Sequence, residues 1–160
     1  MLIKLKSLLR DIKISSEFKE FKEKHPKSYL SSCFNSSDNW QADFYCPEDD
    51  NLTSFTVKDR KVNAETSEIF RKEKREIKEL KIEELEIGIN EAKKIVSSLI
   101  GKKYNNEEVN KEIIILQNLE EPLWNITYIT KTLNIIHVKI NAISGVILEE
   151  KRESALSFKA

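Results

Sequence analysis

Residues 90–140 set the strictest limits on the fold of this chain. They begin with an apolar stripe at helical spacing, which predicts a helix over roughly residues 90–100: Ala92, Ile95, Val96, Leu99 and Ile100. Apolar segments then follow one another with strand-like patterning. The predicted strands are Glu112–Gln117, Trp124–Thr130, Leu133–Ile140 and a short edge strand at Val146–Glu150. A helix followed by consecutive strands predicts an α+β fold with an antiparallel sheet.

The N-terminal part of the chain has a related pattern. A basic amphipathic start predicts a helix that packs on the domain, with attachment to a membrane surface as the alternative. A second helix is expected to start at Ser15 and to bury Phe18 and Phe21 on one face. Further helical turns are predicted for residues 29–34, after Pro26. The predicted strands here are Trp40–Cys46 and Leu52–Lys58, with a short helix expected at Ala64–Phe70.

The two parts suggest an internal repeat, because each has a helix followed by a strand that opens with Trp, at Trp40 and at Trp124. We therefore predict an α+β fold of two helix-plus-antiparallel-sheet halves in tandem. The predicted divisions are an N-terminal half with helices and a β-hairpin (1–60), a charged connector (61–84), an αβββ half (85–150) and a tail (151–160).

Residues 85–150 resemble the PepSY domain family. The similarity lies in the helical Ala92–Ile95 pattern, in Leu123–Tyr128, and in an apolar strand that closes with Asn141-Ala142-Ile143-Ser144-Gly145. Asn141 and Ser144 stand where the family usually has Asp and Thr, and both keep the turn chemistry. The resemblance implies a cystatin-like helix on a small sheet, often in tandem copies. It also implies binding or inhibitory roles, notably in the propeptides of secreted peptidases.

Charge and hydropathy exclude several classes of partner. Lys and Arg together number 27, as do Asp and Glu, so no basic excess is present to attract nucleic acid. No apolar run approaches the ~20 residues that span a bilayer. The start of the chain is broken by lysines and lacks the features of a secretory signal. We therefore expect a cytoplasmic protein that engages neither nucleic acid nor membrane.

The sequence contains no enzyme or metal-site signature that we could identify. Motifs of serine hydrolases, zinc peptidases, phosphate loops and dinucleotide folds are absent, and we expect no cofactor and no metal. The acidic turn Glu48–Asn51 lacks the spacing of a calcium loop. Cys33 and Cys46 are expected to be buried thiols, with a disulfide between them as the alternative. Isolated histidines at positions 25 and 137 favour a capping and a surface role, respectively.

These observations favour a non-catalytic binding or regulatory protein that engages a protein or peptide partner, such as a peptidase, through a sheet face or edge. The side chains expected to point away from the core form the candidate binding surface: Gln41, Asp43, Tyr45, Asn125, Thr127, Ile129 and His137. Because the strand around Ile114 is apolar on both faces, a self-associating dimer is the alternative. A small-ligand binder, or an enzyme with a composite site between the halves, is a further alternative.

Overall fold

The computed structural model describes residues 2–37, 39–69, 76–154 and 156. Within these ranges the chain forms three α-helices, one 3₁₀ helix and eight β-strands. The helices are α1 (Leu2–Lys13), α2 (Ser16–Lys24), the 3₁₀ helix (Ile82–Glu84) and α3 (Ile89–Lys103). The strands are β1 (Tyr29–Ser36), β2 (Asn39–Cys46), β3 (Asn51–Lys58), β4 (Lys61–Glu68), β5 (Val109–Asn118), β6 (Pro122–Thr130), β7 (Asn134–Asn141) and β8 (Ile147–Ser154).

All eight strands belong to one antiparallel sheet, in the order β4-β3-β2-β1-β5-β6-β7-β8. The predicted fold of two helix-plus-sheet halves in tandem is therefore wrong. The strands merge because β1 pairs with β5, from Ser32 opposite Gln117 to Ser36 opposite Ile113. This pairing satisfies backbone groups that two separate sheets would leave exposed at an edge. The pattern within a strand does not reveal which neighbour it pairs with, so this junction could not be predicted from the strand patterns.

The helical turns predicted for residues 29–34 are also wrong, because this segment is strand β1. Over so short a segment, the spacing of its apolar residues fits both the helical and the strand period. In the fold, the side chains of this segment alternate as in a strand. Cys33 and Asn35 point to the buried face, while Phe34 and Ser36 point to the other. Hydrogen bonding to both β2 and β5 gives the strand conformation two ladders, which a helix of a few residues could not match.

One other local prediction fails. The helix expected at Ala64–Phe70 is replaced by β4, with Phe70 outside the described residues. Asp59 and Arg60 form the β3–β4 turn with φ of 51° and 63°, a two-residue hairpin usually marked by Asn-Gly. The absence of that signal hid the hairpin. Helix α3 runs past Gly101 and ends where the Tyr104 N–H donates to the Ile100 carbonyl.

The three α-helices cover one face of the sheet and share one core with it. Most of the helix predictions are confirmed: Ser15 caps α2 through a bond from the Phe18 N–H, Phe18 and Phe21 are buried, and residues 90–100 lie within α3. The core combines side chains of α1 and α3 with inward side chains of the strands. Its members include Leu5, Ile12, Cys33, Ala42, Phe55, Val96, Leu116, Trp124, Ile126 and Val138. Each large side chain enclosed here contributes about 1.5–3 kcal/mol.

The secondary structure crosses the divisions expected along the chain. The segment 61–84 begins with β4 and ends with the 3₁₀ helix, whose Ile82 is buried in the core. Strand β8 extends to Ser154, beyond residue 150. It is the edge strand expected at Val146–Glu150. Among the described residues, no helix is both long enough and apolar enough to cross a bilayer.

Candidate functional site: the open face of the sheet

The sheet has a second face, on which no described helix packs; we call it the open face. Directly paired residues share a face, so the register identifies its members. One row crosses all eight strands: Asn63, Thr56, Gln41, Phe34, Ile115, Asn125, Lys139 and Glu149. The remaining outward residues of each strand lie two positions before or after a member of this row.

All the residues of the candidate binding surface lie on the open face. Gln41, Asp43 and Tyr45 are on β2, and Asn125, Thr127 and Ile129 are on β6, with His137 opposite Thr127 on β7. The two groups do not converge, because β1 and β5 lie between them. Three strand spacings separate β2 from β6, which is about 14 Å. The structure therefore places these residues on one broad surface rather than in one pocket.

The β2 group is organised around the Asp43 carboxylate, which is only 8% exposed. Its Oδ1 accepts hydrogen bonds from Ser54 Oγ at 2.6 Å and from Gln41 Nε2 at 2.8 Å, and its Oδ2 accepts one from Ser32 Oγ at 3.0 Å. Strands β1, β2 and β3 each contribute a donor. Since all three donors satisfy the buried charge, Asp43 cross-links the sheet and is not free to contact a ligand.

The polar side chains of the β6 group form fewer hydrogen bonds. Thr127 Oγ1 and His137 Nδ1 lie 2.9 Å apart and form a cross-strand hydrogen bond. The Asn125 Oδ1 atom is buried and has no hydrogen-bond partner among the described residues. It lies between Ile115 on β5 and Lys139 on β7. An acceptor left unpaired at a half-buried position is available to a donor on another molecule.

An apolar strip occupies the centre of the open face, and sequence reasoning identified only part of it. Its half-buried members are Phe34, Ile113, Ile115, Ile129 and Ile135. Phe34 was missed because β1 was taken for a helix. Among the outward residues of β2, β1, β5 and β6, only Asp43 and Lys111 are charged, although 34% of the whole chain is charged. Depletion of charge around apolar residues is typical of the core of a protein interface.

The two edges of the sheet have the opposite character. Strand β8 carries five consecutive charged residues, Glu149 to Glu153, and its Lys139–Glu149 and Lys151–Glu153 ion pairs measure 3.0 and 2.9 Å. Strand β4 is exposed along nearly its whole length and carries Lys61, Glu65 and Glu68. Charged edge strands discourage the addition of another strand. The open face is therefore a better contact surface than either edge.

A further group of polar side chains joins the end of α3 to β8. The Glu150 carboxylate accepts a hydrogen bond from Lys103 Nζ at 2.6 Å and another from the Tyr104 hydroxyl. These two bonds lower the pKa of Glu150 below its ordinary value of 4.5. Arg152 lies 5.2 Å from the centre of the Tyr104 ring. The group ties secondary-structure elements together, which is a structural role.

The cysteines offer little nucleophilic chemistry. Both are buried free thiols, so the disulfide that the sequence left open is not formed. Burial, followed by the nearby Asp43 charge, raises the pKa of Cys33 to about 12. Burial also raises the pKa of Cys46. At neutral pH the thiolate, which is the reactive form, is therefore scarce. The described ranges hold no group of three or more His, Cys, Asp or Glu side chains placed to share a metal ion.

Comparisons with known proteins identify the fold but no family. No family model matches the chain, and no curated protein matches it. A candidate lipoprotein of Clostridium difficile 630, known from a crystal structure at 1.85 Å, is similar with a TM-score of 0.53 and 14% sequence identity. The similarity covers 86% of this chain and 90% of that one. At this identity the likeness extends to the fold alone, and that protein is not described as an enzyme.

Proposed function

We propose that this protein is a non-catalytic binding protein whose open face docks against a second copy of the same chain. The observation that carries the proposal is the apolar strip around Ile115, set in a central region of the face that is almost free of charge. A chain so rich in charge has ample means to solvate an exposed surface. An uncharged, apolar region of this kind is expected where another protein surface covers it and removes it from water.

The size of the face is compatible with such a dimer. Eight strands at about 4.8 Å and strand lengths near eight residues give a face of roughly 38 by 27 Å, or about 1,000 Å². A stable interface needs about 800 Å² from each partner. Two twisted sheets packed face to face, about 10 Å apart, form a familiar sandwich. Contact over most of the eight strands would therefore supply enough area for a stable interface. Contact over the central four strands alone would not.

The charges of the open face lie mostly toward its two sides and leave the centre to the apolar strip. The β4 side carries Glu65 together with Lys58 and Lys61, while on the β8 side Lys139 and Lys151 are paired with Glu149 and Glu153. A two-fold axis parallel to the strands brings the β4 side of one copy over the β8 side of the other. This arrangement packs the two apolar strips against each other and leaves the flanking charges at the rim of the interface.

A partner of different sequence is the second candidate. The position of the apolar strip within the chain favours it. Most of the strip lies within residues 85–150, the part that resembles PepSY domains, so a regulatory partner would use the same face. A peptidase is the class to try first. Such a partner needs a neutral, apolar centre to match the strip. The cytoplasmic location expected from the sequence belongs to this proposal as well.

Sedimentation velocity from low micromolar to submillimolar concentration tests the proposal. We expect the weight-average mass of the wild type to rise from 18.7 kDa toward twice that value. Ile115→Lys should weaken association about a hundredfold, because each copy loses an apolar contact of about 1.5 kcal/mol and gains an unpaired charge. Ser98→Lys adds the same charge on an exposed part of α3 and should leave association unchanged.

Circular dichroism and melting temperatures establish that both variants remain folded. A wild type that stays monomeric at every concentration would rule out the second copy as the occupant. Peptidases would then be tested directly by interferometry, with Ile115→Lys again compared with Ser98→Lys. Equal weakening by both substitutions would show that overall charge, and not the open face, governs association.

A further inference from the structure

A small cleft opens between α1 and α3 on the helix-covered side of the sheet, and its lining is rich in hydrogen-bond donors. Its volume is 120 Å³, well above the ~15 Å³ that one water molecule requires. The polar and aromatic side chains that line it are Lys4, Asn35, Trp40, Asn90 and Lys93. This cleft is separate from the open face, because the sheet itself lies between them.

Asn35 is the most unusual member of this lining. It is 8% exposed and lies on the buried face of β1, between Trp40 on β2 and Ile114 on β5. Its side-chain amide has no hydrogen-bond partner among the described residues. The residue is largely buried, but its amide atoms are not fully enclosed, and the cleft is where they reach solvent. Because the residue lines the cleft, a molecule in the cleft is the missing partner that the geometry allows.

The first turn of α3 supplies backbone donors to the same place. Gly88 is the N-cap and contributes no side-chain hydrogen bond, so the N–H groups that begin α3 have no side-chain cap. Ile89 and Asn90, which open the helix, both line the cleft. The positive end of the helix dipole favours negative charge at this position.

Two ammonium groups complete the lining. Lys4 forms no ion pair within the described part of the chain. Lys93 Nζ lies 2.8 Å from Glu112 Oε1, so this lysine is already ion-paired and Lys4 supplies the uncompensated charge. The Trp40 indole N–H also has no acceptor among the described residues. Residues that carry amide, indole and ammonium donors, together with the first residues of α3, thus line one small volume.

We propose that this cleft binds a small oxyanion, either phosphate or a carboxylate. A tetrahedral or planar oxyanion accepts several hydrogen bonds at once, and it would satisfy the Asn35 amide together with the start of α3. The limited volume excludes large ligands, while the exposed Lys4 leaves a path for entry. The site requires no change in the sheet and no second copy of the chain, so it is independent of the proposed function.

Titration by ¹H–¹⁵N NMR, at constant ionic strength maintained with chloride, tests the proposal. Inorganic phosphate is the first ligand and acetate the second. We expect saturable shifts at the Asn35 and Asn90 side-chain amides, the Trp40 indole and the backbone amides that open α3. Asn35→Leu should raise the half-saturating concentration about tenfold or more, because it removes a buried donor. Lys4→Met should raise it about threefold to fivefold, since Lys4 is exposed.

Matched variants control for general charge effects. Lys6→Met and Lys94→Met remove exposed lysines on α1 and α3 that do not line the cleft, and both should bind as the wild type does. Saturation by phosphate alone would assign the site to phosphate. Equal saturation by acetate would show that carboxylates bind as well. Shifts that stay linear for both anions, or equal weakening by Lys4→Met and Lys6→Met, would overturn the proposal.

Discussion

The unpaired amide of Asn35 leads to an unusual prediction: removing a polar group should stabilise the protein. In buffer free of phosphate and carboxylates, we expect Asn35→Leu to raise the free energy of unfolding by about 1–2 kcal/mol. An unpaired buried amide costs about 1–3 kcal/mol, and the cleft admits some water, which favours the lower part of that range. Leucine has nearly the same shape as asparagine and lies beside Trp40 and Ile114.

Urea denaturation followed by circular dichroism measures this change, with melting curves as a second readout. For a chain of this size, we expect a rise of roughly 3–6 °C in melting temperature. Phosphate at about a hundred times the wild-type dissociation constant should stabilise the wild type by about 2.7 kcal/mol and the tenfold weaker Asn35→Leu by about 1.4 kcal/mol. The stability advantage of Asn35→Leu should therefore shrink by about 1.3 kcal/mol when phosphate is added.

Asn134→Leu provides the contrast, because the Asn134 amide is paired: its Nδ2 donates to Glu107 Oε1 at 2.6 Å. That variant should lose about 1–2 kcal/mol in either buffer. A loss of more than about 1 kcal/mol for Asn35→Leu without phosphate would refute the reasoning, since it would mean that the amide is already satisfied.

Three further predictions concern other parts of the fold. Asp43→Ala should lower the free energy of unfolding by about 2–3 kcal/mol in urea denaturation, because three donors lose a charged acceptor, whereas Ser54→Ala should cost about half as much. The lowered pKa of Glu150 stabilises the fold above its ordinary pKa of 4.5 and ceases to do so as the pH falls through the lowered value. The stability difference between wild type and Glu150→Gln should therefore shrink from pH 7 to about pH 3, and a constant difference would contradict this assignment. Gly145→Ala should cost about 1–2 kcal/mol in the same assay, because Gly145 has φ of +79°, which an L side chain rarely adopts; an unchanged midpoint would show that the turn adapts.

Local patterns predicted most of the elements correctly, and the errors share a physical cause. Strands β2, β3, β6 and β7 were found because apolar and polar residues alternate over much of their lengths. Strand β1 was missed because its identity depends on pairing with β2 and with β5, and β5 is distant in the chain. Strand β4 was missed because it is exposed and carries no apolar alternation. Both strands are held mainly by backbone pairing, to which the side-chain pattern contributes little.

The candidate site was predictable only in part, for a related reason. Alternation assigned Gln41, Asn125 and Thr127 to the outward side of their strands without knowledge of the sheet order. It did not show that a single sheet carries both groups, because this depends on the β1–β5 pairing. The cleft beside Asn35 left no local signal. Its lining comes from α1, β1, β2, α3 and β5, which meet only in the folded chain.

The β1–β5 junction explains why both proposed sites lie near the centre of the sheet. Helix α1 contacts β2 and β3, α3 contacts β6, and the cleft lies between these two helices. On that side the inward residues of the junction are buried, and the cleft is lined by the polar Asn35 next to Ile114. On the other side, the same pair of strands presents Phe34 and Ile115, with no described helix to cover them. Because side chains alternate along a strand, adjacent residues of β1 serve different surfaces. The β1–β5 junction therefore has a small polar cleft on its covered face and an apolar strip on its open face, and each has a chemistry suited to a different ligand.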